Sequence, residues 1–174
     1  LPIVGDEVFD YEVGMDVSIT EFPRASESEM YDYIISECNE IAEMMSADTN
    51  ANSARANKWV AKMLEARAAL YAASLAKYNV DHPNLTVEGG AVGIDPSKAE
   101  SYYNKAISAA KVVIEKSPYK LQLPESKLDK RARNFYEAVT VKASNTKVIW
   151  SRDYKVTTSK HYFTKDCIPR SHAG

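Results

Sequence analysis

Two long alanine- and aromatic-rich stretches, Trp59 to Tyr78 and Tyr102 to Lys116, constrain this chain more than any other feature. In the first, Ala61, Ala66, Ala68, Ala69, Ala72, Ala73 and Ala76 confer high helix propensity and permit approach from more than one side, as in the middle of a stack. Its expected apolar stripe is Trp59, Val60, Met63, Leu64, Leu70, Tyr71, Leu75 and Tyr78. In the second stretch Tyr103, Ala106, Ile107, Ala110, Val113 and Ile114 are expected to face the core. Asp95 followed by Pro96 supplies a cap and a proline at the first helical position, which places the start of that helix.

The two stretches carry parts of the tetratricopeptide helix-turn-helix pattern. Tyr103, Ala106, Val113 and Pro118 fall at the offsets of that repeat's second helix and its terminating proline, and Leu64, Ala68 and Tyr71 match apolar, small and aromatic positions of a first helix. Ala68 is small enough to let the partner helix approach closely. Where a regular repeat has a short turn, this chain inserts Asn79 to Asp95, whose Pro83, Gly89, Gly90 and Gly93 prevent it from being helical throughout. The expected fold is all-α, with tetratricopeptide-like helical repeats and long irregular loops. An interaction scaffold follows more readily than an enzyme, with binding expected on the loops.

Residues 1–25 read as an extended connector, with prolines, glycines, scattered acids and short apolar patches. A helical core is expected over 26–143. It opens at a Ser26/Glu29 capping box, with Met30, Ile34, Cys38, Ile41 and Met45 on one face of a helix ending near Ser46. A weaker helix bearing Phe135, Tyr136 and Val139 is expected from Leu128 to Val141. Residues 144–174 should hold a short strand at Val148, Ile149 and Trp150 and then an irregular segment.

Composition narrows the function. With 174 residues, 45% of them hydrophobic and 26% charged, the chain can bury a core of one ordinary domain. A net charge of −2 and a pI near 6.0 leave no basic surplus for nucleic acid. No apolar run approaches the roughly 20 residues that span a bilayer. Leu1 stands where a gene product would carry methionine, so the chain is expected to be an internal portion of a longer protein. Cys38 and Cys167 match neither a disulfide framework nor a metal-ligand spacing, and Cys38 reads as a small core residue. His82, His161 and His172 are scattered, and Cys167 with His161 lacks a third member of a nucleophilic set. Asp32 with Glu37 and Glu40 with Glu43 read as a solvated helix face, and Gly89, Gly90 and Gly93 lack the residues of a phosphate loop. The expectation is a non-catalytic protein with no cofactor and no metal.

A family resemblance sharpens this. The run Phe22-Pro23-Arg24-Ala25-Ser26 with Met30-Tyr31-Asp32-Tyr33-Ile34-Ile35-Ser36 resembles a segment of the SusD/RagB outer-membrane nutrient-binding lipoproteins. Asn57 to Ala73, Tyr102 to Leu121 and Lys147 to Tyr154 are similar to three later segments of that family, in the same order, and Leu1-Pro2-Ile3-Val4 is similar to its entry motif. Lys147 stands where glutamate is usual, and Cys38-Asn39 departs from the usual acidic-leucine pair. The resemblance implies a SusD-like fold and capture of an oligo- or polysaccharide at the cell surface, without catalysis. It also implies a SusC-like TonB-dependent transporter as partner and attachment to the outer membrane through a lipid anchor expected outside this chain.

Sugar capture needs flat aromatic faces for the C–H surface of the sugar and polar groups for its hydroxyls. The chain has 11 tyrosines and 2 tryptophans. Trp150, Arg152, Tyr154, His161 and Tyr162, near Asp153 and Phe163, form the densest such group and are the candidate ligand contacts; the competing role for Trp150 is core packing. The alternative function is a tetratricopeptide-type adaptor that takes a peptide or protein segment between its helices. A hydrolase built on Cys167 and His161 is a third. Exposed apolar patches, and with them self-association, are expected if missing segments normally cover the alanine-rich helices.

Overall fold

The computed structural model describes residues 1–6, 8, 10, 12–16, 18, 22–47, 54–121, 128–141, 145–155, 157–160 and 162. They form four α-helices: α1 (Glu27–Met44), α2 (Lys58–Asp81), α3 (Ala99–Lys116) and α4 (Leu128–Thr140). No β-strand forms among the described residues, so the fold there is all-α, as expected. Val148–Trp150 correct the expectation of a short strand. Their β propensity finds no partner edge, and the one bridge among the described residues pairs Lys155 with Ser159.

The helix starts follow from local hydrogen bonds. At α1 the Ser26 hydroxyl accepts from the Glu29 N–H at 3.2 Å while a Glu29 carboxylate oxygen accepts from the Ser26 N–H at 2.8 Å. At α2 the Asn57 side-chain oxygen accepts from the N–H groups of Trp59 at 3.0 Å and Val60 at 3.2 Å. Asp95 accepts from Ser97 N–H at 2.9 Å and opens a 3-10 turn, Pro96–Lys98, that runs directly into α3. At the C-terminal end of α4 the Asn145 amide donates to the carbonyls of Ala138 at 2.9 Å and Val141 at 2.8 Å, serving groups that have no partner inside the helix.

α2 is the central helix, packed against both α1 and α3, which also meet each other. Its alanines make the core. Ala69, Ala72, Ala73 and Ala76 are fully buried, joined by Ala68 and by Ile35, Ile94, Tyr102 and Ala106 from the surrounding elements. Of the expected stripe, Trp59 is buried and Leu75 packs against this core, but Met63, Leu64, Leu70, Tyr71 and Tyr78 are exposed. The reason for this correction is steric. A helix packed against two others admits close neighbours only where its side chains are small, so the bulky residues take the remaining face. α1 and α3 are turned in the same sense: Ile35, Cys38 and Ala42 are buried on α1, and Tyr102, Ala106, Ala109 and Val113 on α3, while Ile107 and Ile114 are exposed.

The inserted loop begins at His82, because α2 continues through Asp81 and buries Asn79, whose amide donates to the Ile94 carbonyl at 3.1 Å. Gly93 sits at φ 96°, and a Cβ there would lie 2.6 Å from Thr86 Cγ2. Its N–H donates to the Glu27 carboxylate at 2.7 Å, which ties the loop to the start of α1.

Candidate functional site

The stretch 146–150 of the C-terminal segment is fastened where α2 begins and α3 ends. Lys120 N–H donates to the Thr146 carbonyl at 3.0 Å. The Tyr119 hydroxyl accepts from the Asn57 amide at 3.2 Å and donates to the Ile149 carbonyl at 3.3 Å, so one phenol joins the α2 cap, the α3 exit and the segment. The Lys147 ammonium donates to the Asn134 carbonyl at 3.0 Å and holds α4 to the same junction.

Trp150 follows directly. Its indole N–H donates to the Ala54 carbonyl at 3.1 Å, yet the residue remains 60% exposed. Trp59 makes a bond of the same type, to the Ala47 carbonyl at 3.1 Å, and is only 6% exposed. One tryptophan is therefore core and the other is a fixed aromatic surface. Beside Trp150 lies an apolar groove of about 660 Å³ between α2 and α3, walled by Met63, Leu64, Leu70, Ile107 and Ile149. Among the described residues, Arg67 is the single charged one in its lining.

Of the other candidate contacts, Arg152 and Tyr154 lie together, with the guanidinium carbon 5.3 Å from the ring centroid. Both are exposed, as is Tyr162. His161 and Phe163 fall outside the described residues, as do Cys167 and His172. The structure thus pairs Arg152 with Tyr154, while Trp150 on the same short segment lies against the groove. The groove walls escape the sequence reading, which placed Met63, Leu64, Leu70 and Ile107 in the core. A signal was nevertheless present: the run Ala69, Ala72, Ala73, Ala76 repeats at helical intervals and marks the inward face by size.

Elsewhere on α2, the Lys62 ammonium donates to the Glu65 carboxylate at 2.9 Å and to the Asn39 side-chain oxygen, and both charged residues are buried. Glu65 also edges a shallow polar cleft with Glu100, Asn104 and Lys105. That cleft is the less promising site, because Glu65 is held by Lys62 and Lys105 is held by Asp32 at 3.3 Å. Asp32 therefore joins α1 to α3, where the sequence reading left it solvated. Burial pushes the Cys38 thiol up, with the negative charge of Glu65 adding to it, which makes a poor nucleophile. Burial likewise raises the Tyr102 hydroxyl well above the usual phenol range, and that hydroxyl donates to the Ser28 carbonyl at 3.4 Å.

Among the described residues no three His, Cys, Asp or Glu side chains converge as a metal site, and no helix is long and apolar enough to cross a membrane. No family model, curated protein or solved structure matches the chain.

Proposed function

We propose that this chain is a non-catalytic capture protein of SusD/RagB type that binds an oligo- or polysaccharide at the outer-membrane surface and works with a SusC-like TonB-dependent transporter. In this reading α2 and α3 form a tetratricopeptide-like pair within a SusD-like frame, and the lipid anchor lies outside these residues. The observation that carries it is Trp150, an exposed aromatic face held in place through its own N–H. A fixed ring loses little freedom when a sugar stacks on it. Arg152, beside Tyr154, supplies donors for hydroxyls.

The test is a titration with a panel of oligosaccharides, read by tryptophan fluorescence. Trp150→Phe keeps most of the stacking face, and Trp150→Ala removes it; calorimetry follows binding in both variants. The expected result is saturable binding that Trp150→Ala weakens about tenfold, from the loss of stacking and buried ring area. No response from any sugar, or equal affinity in Trp150→Ala, overturns the reading. A second reading, an adaptor for a peptide segment, is favoured by the apolar walls of the α2/α3 groove.

A further inference from the structure

The geometry points to the α2/α3 groove as a site for a small amphipathic anion, an apolar ring system or chain bearing one carboxylate or sulfonate, with Arg67 as its counter-charge. This goes beyond sugar capture, because the walls cannot serve hydroxyls. Met63, Leu64, Leu70, Ile107 and Ile149 offer no hydrogen-bond donor and no strong acceptor from their side chains, and each sugar hydroxyl desolvated against them would go unpaired. The volume of about 660 Å³ lies within the range of small-molecule sites.

Charge complementarity selects the ligand. Arg67 is the only ionic group in the lining among the described residues, so a ligand with one negative head gains a partner, whereas a cation meets repulsion and a neutral body leaves the guanidinium unused. The head has only one place to go. The apolar body then lies along the α2 face toward Trp150, whose ring closes the lining together with Ile149. A guanidinium can bind a carboxylate or sulfonate through two parallel N–H bonds, which an ammonium cannot reproduce.

The experiment uses two fluorescent probes on the full chain: anilinonaphthalene sulfonate, and phenylnaphthylamine, which has the same rings without the sulfonate. The expected result is that Arg67→Gln weakens the sulfonate probe about tenfold and leaves the uncharged probe within about twofold, since only the charged hydrogen bonds are removed. Trp150→Ala should weaken both probes. Lys77→Gln, which removes a cation elsewhere on α2, should change neither. Equal losses of both probes in Arg67→Gln, or no loss of either, overturn the proposal. So does concentration-dependent dimerisation, seen by light scattering, that displaces the sulfonate probe, because the groove would then belong to a second copy. Displacement by an apolar peptide but not by dodecanoate would assign the groove to a peptide and overturn it as well.

Discussion

The two faces of α2 use opposite rules. Into the core shared with α1 and α3 it presents alanines that are fully buried, and beside that core it presents Met63, Leu64 and Leu70, exposed along the groove that α3 helps to wall, with Tyr71 exposed as well. Hydrophobicity does not separate these faces, since both are apolar. Size does. Close helix packing needs small residues, and a surface that grips a ligand needs large ones. The inward face makes the fold, and the outward face, extended by Trp150, makes the candidate site.

The largest break in this comparison comes from the inward side. Lys62→Met leaves the buried Glu65 carboxylate without its partner and is expected to cost about 3–5 kcal/mol in urea unfolding. Adding Glu65→Leu should recover most of that loss, because the orphaned charge is gone. Ala72→Leu, placed in the buried alanine run, should cost about 1–3 kcal/mol by overpacking. Ser26→Ala removes a cap without touching either face and should cost about 1 kcal/mol, measured by the same unfolding curves.

The smallest expected effect is pH dependence from the same cap. The Ser26 hydroxyl and then the Ser26 N–H hold the Glu29 carboxyl below its ordinary value. A depressed folded-state pKa contributes stability above the unfolded value and loses it as pH falls through the folded one. Unfolding midpoints should therefore decline on acidification below the ordinary carboxylate range. Glu29→Gln should flatten part of that decline, and an unchanged slope would remove Glu29 from the account.

Helix starts are legible in the sequence because their signals are local. Ser26 with Glu29, and Asp95 with Pro96, each act within one turn, and both appear where expected. The α1 and α3 ends near Ser46 and Pro118 are legible for the same reason. Which face packs is not, because apolar residues surround α2 and the deciding quantity is the space left by α1 and α3. The strand expected at Val148–Trp150 fails on a similar ground, since a strand needs an edge elsewhere in the chain. For the site, Trp150, Arg152 and Tyr154 are legible as an aromatic and polar group but the exposure of Trp150 is not, since the end of a β-prone run suggests packing; His161 lies outside the described residues, and the groove walls are hidden by their likeness to core.

The most direct test is the unfolding free energy of Met63→Ser, Leu64→Ser and Leu70→Ser combined. If the outward face of α2 is half-exposed surface, each change costs about 1 kcal/mol and the sum stays below about 3 kcal/mol. A loss of roughly 6 kcal/mol or more, the cost of truncating three buried large side chains, would show that this face is core and contradict the account.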